Sequence, residues 1–212
     1  PPSSGPESVP CDAAAAVDAS VSVVPPRASS DVRPGRNDLI TLLRSPIPSG
    51  GKRLLHLFSG LTNRPGSLGW VARTLGYECA DIDILNHPDH DVLHHDLEVE
   101  IVDSILSGRV TAVMLGTPCN TFSVARMHDD GGPEQLRSLR YPHGIPGISV
   151  FGRKAVEVSD RLVAFSIRVI IACKTSAVGW VLENPPGRGI GSEFYQAVFA
   201  QHVSLFELRT VR

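Results

Sequence analysis

Apolar positions along this chain fall into short runs separated by amphipathic stretches. Leu54 to Phe58 is apolar at four of its five positions and predicts a buried strand. Leu68, Val71, Ala72 and Leu75 then recur at helical spacing, and Gly76 closes that helix. Tyr77 to Ile84 predicts a second strand, followed by a polar stretch and a helix from about Glu98 to Ser107, stopped by Gly108. Val110 to Leu115 is the next strand. Thr117 to about Gly152 is a loop rich in Gly and Pro, a length that belongs to a functional lid or to a disordered segment. Lys154 to Thr175 is the longest helix, with a wide apolar stripe through Val158, Leu162, Phe165, Val169 and Ile170. Val178 to Leu182 reads as a strand, Ser192 to Ala200 as a helix and Val203 to Leu208 as a final strand. Strands alternating with helices predict an α/β fold, a mostly parallel, doubly wound sheet flanked by helices.

The N-terminal stretch departs from this pattern. Residues 1–36 hold 7 Pro, 7 Ser and 6 Ala, too little apolar surface to offset the entropy of ordering them. They read as a disordered segment, with residues 37–212 as the folded domain. Asn37 to Leu43 predicts a short lead-in helix capped by Asn37, ahead of an ordered region that begins near Arg53.

Composition narrows the picture only a little. A chain of 212 residues supports one domain with a sizeable core plus tails. The formal net charge of −2 gives no general support for a nucleic-acid binder. The 117–154 loop is mildly basic, with five Lys or Arg against three Asp or Glu, which suits a phosphate-facing loop as well as an ordinary solvated one. The four cysteines form no Cys-x-x-Cys pair, and Cys79 and Cys173 lie in apolar stretches. That is a reduced, intracellular pattern. No apolar run reaches membrane-spanning length, and no membrane partner is expected.

Chemistry concentrates where strands empty into polar loops. Val110 to Leu115 runs into Gly116-Thr117-Pro118-Cys119-Asn120-Thr121-Phe122-Ser123, and Val178 to Leu182 runs into Glu183-Asn184-Pro185-Pro186. A thiol and a carboxylate at the ends of two buried strands converge on one crevice in an open α/β sheet. A Cys nucleophile beside a Glu proton partner is equipped for covalent attack on an electron-poor ring. A structural cysteine would also account for Cys119. The first strand ends in Phe58-Ser59-Gly60, a strand–glycine–helix arrangement by which backbone amides meet a cofactor, or a plain tight turn. Asp81 and Asp83 end the second strand, where a carboxylate can take ribose hydroxyls or simply face water. The stretch from His87 to Asp96 is histidine-dense, but its Pro and Asp breakers and its spacing favour a surface loop over a metal site.

These motifs, in this order over roughly residues 53–208, resemble those of cytosine carbon-5 DNA methyltransferases. The resemblance implies a Rossmann-like, S-adenosyl-L-methionine-dependent methyltransferase fold. It implies that Cys119, within Pro118-Cys119, attacks carbon 6 of a cytosine flipped out of DNA, and that Glu183 hydrogen-bonds the ring nitrogen and exocyclic amine. Asn184 would orient the loop. Phe58, Ser59, Gly60 and Ile82 would hold the cofactor, with Asp81 at its ribose. Asp96, in the short motif His95-Asp96-Leu97 after a third strand, would receive the adenine amine. Departures are Leu61 and Thr62 where the family has more glycine, Asn120 where it usually has Gln, and Thr117 in place of a common Pro. Asn184-Pro185-Pro186-Gly187 also resembles the motif of amino-group methyltransferases, with Gly187 standing where they have an aromatic residue. Methylation of RNA cytosine or of an exocyclic amine, and a non-catalytic module binding cofactor or nucleic acid, therefore stay open. The family pattern continues beyond the last strand with a recognition region. The expectation is a catalytic domain truncated at its C-terminus, inactive or weakly active on DNA alone. An enzyme of this kind would be intracellular, nuclear in a eukaryote and otherwise cytoplasmic.

Overall fold

In the computed structural model, four strands carry the site: β1 (Lys52–Leu57), β2 (Tyr77–Ile82), β3 (Ala112–Leu115) and β4 (Gly179–Leu182). Residues 34–62, 64–127, 131–184 and 201–208 are described. The sheet is parallel throughout, in the order β2-β1-β3-β4. Among the described residues the α-helices are α1 (Arg36–Arg44), α2 (Leu68–Thr74), α3 (His95–Leu106) and α4 (Val150–Thr175).

Alternation along the strands sorts the two faces. Leu55, Leu57, Ala80, Ile82, Val113 and Leu115 point into the main core. There they meet Leu39 and Leu43 of α1, Leu97, Ile101 and Ile105 of α3, and Phe165, Val169 and Cys173 of α4. The opposite parity places His56 and Asp81, partners across the β1–β2 register, beside Arg73 of α2. Gly69 of α2 has no alternative there, because a Cβ would run into the Asp81 carboxylate.

Local signals account for the helix ends. Ser67 caps α2 by accepting from Trp70 N at 3.3 Å, and Gly76 leaves it at φ 81°. Ser149 caps α4 by accepting from Gly152 N at 2.9 Å, so α4 starts four residues before the expected Lys154. Asn37 does not cap α1. The cap is Gly35, whose N–H donates to Asp38 at 3.0 Å.

Four expectations are corrected. Order begins by Pro34 rather than near Arg53, because Leu39 and Leu43 are buried in the core. Each such side chain contributes about 1.5–3 kcal/mol, enough to hold a nine-residue helix in place. The third strand expected before Asp96 is a series of turns with one 3-10 turn, Pro88–His90. That stretch lacks an apolar run, and the His87 ring caps the turn by accepting from Asp89 N at 3.1 Å. The strand expected over Val203–Leu208 is a 3-10 turn at Leu205–Glu207. Ser204 N donates to Glu207 at 2.7 Å, while Val203, Leu205 and Leu208 bury against Phe122 and Val163. The 117–152 loop is not a free lid, since Leu136, Arg137 and Ser138 are buried within it. The expected disordered residues 1–33, the helix over 192–200 and the Pro185-Pro186-Gly187 segment lie outside the described residues.

The histidine-dense stretch contains one buried histidine. His90 is 2% exposed; its Nε2 lies 2.8 Å from Pro34 O and its Nδ1 is buried without a partner. Burial pushes its pKa below the ordinary value, against the pull of the Pro34 carbonyl. The unfolded chain therefore takes up a proton more readily. Stability is full above about pH 6.5 and is lost as the pH falls from there through the depressed folded value. Urea midpoints followed over that window should decline in the native chain. They should decline less in His90→Gln, which keeps a donor for Pro34.

Candidate active site

In a sheet ordered β2-β1-β3-β4, the chain leaves β1 toward one side and later returns to the other. The crevice therefore opens beyond the C-terminal ends of β1 and β3. Phe58-Ser59-Gly60 and Gly116-Thr117-Pro118-Cys119 stand at those two ends.

The β1 loop is held by the turn after β2. Phe58 N and Ser59 N donate to Ile82 O at 2.9 and 3.5 Å. Phe58 turns the chain at φ 58°, a conformation costly for a non-glycine residue and found preferentially at functional loops. Its ring meets Phe165 edge-on, with centroids 6.0 Å apart. Gly60 N donates to Asp83 Oδ2 at 2.8 Å. Asn86 Nδ2 donates to Ser59 Oγ at 3.0 Å and to Gly60 O at 2.9 Å, and its Oδ1 accepts from Thr62 N at 3.2 Å.

The other residues expected at the cofactor are placed differently. Asp81 is 8% exposed and lies on the α2 face. One oxygen is 3.0 Å from His56 Nδ1, and the other accepts from Arg73. Burial pushes the Asp81 carboxyl up, but the His56 bond and the Arg73 charge outweigh it and hold it below the usual carboxylate range. The Ile82 side chain is fully buried in the core, so only its carbonyl serves the loop. Asp83, one residue past β2, is the acid bonded to the β1 loop. Asp96 sits in the first turn of α3 with its side chain 70% exposed, 4.0 Å from His94, rather than after a strand. Its charge suits a helix N-terminus.

The β3 and β4 loops are joined. Glu183 N donates to Leu115 O at 2.8 Å, and Asn184 Nδ2 donates to Thr117 O at 2.8 Å inside the protein. A Cβ at Gly116 would approach Phe58 O to 3.0 Å, so glycine lets the β1 and β3 loops pack closely. Glu183 is exposed and Asn184 buried. Thr117 Oγ1 lies 2.8 Å from Ser166 Oγ. Ser166 donates to Leu162 O, so Thr117 is the donor. Cys119 is half-buried, and Phe122 N closes a turn onto its carbonyl at 2.8 Å. The other described thiols are suppressed by burial, which pushes Cys79 up to about 12 and Cys173 to about 11.

The structure thus brings Cys119, Pro118, Glu183, Asn184, Phe58, Ser59 and Gly60 to one edge of the sheet. Asp81 and Ile82 end β2 at that edge but turn their side chains to α2 and the core, and Asp96 lies apart on α3. Sequence reasoning missed Asn86. Its signal was the Asp83-x-x-Asn86 spacing, a turn-forming pair directly after a strand. Comparison with family models, curated proteins and solved structures finds no match for this chain. Among the described residues no three His, Cys, Asp or Glu side chains gather as metal ligands, and no helix is long and apolar enough to cross a membrane.

Proposed function

We propose that this chain is the catalytic core of an S-adenosyl-L-methionine-dependent DNA (cytosine-5) methyltransferase, built on the methyltransferase version of the parallel α/β sheet. The reading is carried by one observation. The Glu183-Asn184 segment bonds to the strand end and loop that present Cys119, through Leu115 O and Thr117 O. A nucleophile and a proton partner on adjacent parallel strands suit attack on a flat ring entering edge-on. Such a ring must first leave the base stack, so DNA would bind with a cytosine flipped out.

The Phe58–Gly60 turn, braced by Asp83 and Asn86, fits an adenosyl cofactor. It combines a strained strand end, an acid and open space at Gly60, where a Cβ would meet nothing within 4 Å. The bound sulfonium supplies an electrophilic methyl group. The chain's own residues do the rest. Cys119 Sγ adds to carbon 6, and the ring's electron pair shifts toward carbon 5. Glu183 hydrogen-bonds the ring nitrogen and amine, stabilising the charge as it develops. Once that pair has taken up the methyl group, the bond to the sulfonium breaking with its electrons returning to sulfur, loss of the carbon-5 proton to solvent expels the thiolate and restores the ring.

Titration calorimetry with S-adenosylhomocysteine tests the cofactor half. Binding is expected, and Asp83→Ala should weaken it by about 1–3 kcal/mol through loss of the charge-assisted bond that shapes the loop. Absence of heat at millimolar ligand overturns it. Transfer of a tritiated methyl group to DNA, followed by nucleoside analysis, tests the chemistry: label on the exocyclic amine, or on RNA alone, replaces this reading.

A further inference from the structure

The loop that follows Cys119 is fastened by a buried arginine with no part in the chemistry above. The Arg137 side chain is 1% exposed. Its Nε donates to Thr121 Oγ1 at 3.1 Å, and its guanidinium lies 4.2 Å from the centroid of the Phe122 ring. Its remaining nitrogens reach Asp160 Oδ1 at 2.8 Å, Val156 O at 3.3 Å and the carbonyl of Pro142. Thr121 Oγ1 in turn donates to Ser159 Oγ at 2.8 Å, and His143 Nδ1 lies 3.0 Å from the second Asp160 oxygen. One planar fork thus ties together the Cys119–Phe122 turn, the 136–143 loop and the middle of α4.

We propose that Arg137 is a positioning residue for Cys119: it fixes the turn that aims the thiol into the crevice by gripping Thr121 and Phe122 from behind. The turn needs such a grip. Cys119 and Phe122 are joined by one backbone bond, and Asn120 between them is exposed. Among the described residues, the other ties on the turn are its own Cys119–Phe122 bond, a solvent-exposed bond from Arg126 Nε to Asn120 O at 2.6 Å, Ser159 on Thr121, the His202 ring on Phe122 O and apolar packing. None of these bridges Thr121 and Phe122 to the 136–143 loop and α4 together. Lysine cannot replace the arginine, since an ammonium lacks the planar fork that serves acceptors on several sides while stacking on Phe122. The inference rests on Cys119 being the reacting thiol, but its test does not depend on methyl transfer.

The test follows iodoacetamide labelling of each cysteine by peptide mass spectrometry, in the full chain carrying Cys11→Ser. Cys79 and Cys173 serve as internal controls, because burial pushes both thiols up; Cys173 is also covered, whereas Cys79 is half-buried like Cys119. In Arg137→Lys, Cys119 is expected to label about fivefold faster or more, as the turn opens locally, while labelling of Cys79 and Cys173 stays at its native rate. Trapping on DNA carrying 5-fluorocytosine should fall in the same variant. Leu136→Ala, adjacent and equally buried, removes core packing without touching Thr121 or Phe122. It should leave the ratio of Cys119 to Cys173 labelling unchanged. The proposal is overturned if Arg137→Lys leaves Cys119 labelling within about twofold of the native chain. It is also overturned if all three thiols label in parallel, or if Leu136→Ala reproduces the selective effect. Where the native chain does not trap on DNA, the labelling result alone decides the role of Arg137.

Discussion

Cys119→Ser should abolish covalent capture of the protein on DNA containing 5-fluorocytosine. Fluorine at carbon 5 blocks the last proton loss, so an enzyme that adds a thiolate to carbon 6 stays bonded to the base. A denaturing gel reads the adduct directly. Serine keeps the size and hydrogen bonding of the side chain, but its hydroxyl is a far weaker nucleophile than a thiolate. Methyl transfer should fall by roughly 10³-fold or more, the scale of losing a covalent nucleophile. Glu183→Gln should lower transfer less, because an amide keeps a hydrogen bond to the ring but cannot follow the developing charge. Adduct formation by the serine variant would mean that another group attacks. Methylation on the exocyclic amine would mean that no thiol is needed.

The parts of this site that could be read from the sequence are those announced by an apolar run. Cys119 and Glu183 each follow one, and a parallel sheet brings such ends together whatever the detailed packing. The strands themselves were legible for the same reason, although β2 and β3 are each two residues shorter than the runs that signal them. Parity was not legible. Asp81 and Asp83 lie two apart and look equivalent in the sequence. The strand ends at Ile82, so Asp81 stays in the pleat and points at α2, whereas Asp83 turns into the β1 loop. Arg137 was invisible because a lone arginine in a loop has no period. Its partners Thr121 and Asp160 are 16 and 23 residues away, and only the fold brings them close. Val203 to Leu208 misled because burial around Phe122 and a β-strand both call for apolar side chains at similar spacing.

The Asp81 carboxylate is expected to matter more for folding than for any ligand. It bridges His56, its register partner on β1, and Arg73 on α2, with its side chain only 4% exposed. Replacing it by alanine leaves a buried histidine and an arginine without their acceptor. Breaking a buried pair costs about 3–5 kcal/mol. The Arg73 side chain is 35% exposed and can turn toward water, which brings the loss down to or below the bottom of that range, at about 2–3 kcal/mol in urea unfolding. The pH dependence carries the same sign. The folded carboxyl is held below its ordinary value of 3.8, so its stabilisation is full above that value and is lost as the pH falls through the depressed folded value. Asp81→Asn should therefore lower the stability at neutral pH and flatten the acid limb of the stability curve. Adenosyl affinity, measured on the fraction still folded, should change far less than in Asp83→Ala. The opposite pattern, intact stability with affinity lost in Asp81→Asn, would mean that the carboxylate faces the ligand and that the His56–Asp81–Arg73 bridge is not what holds α2 to the sheet.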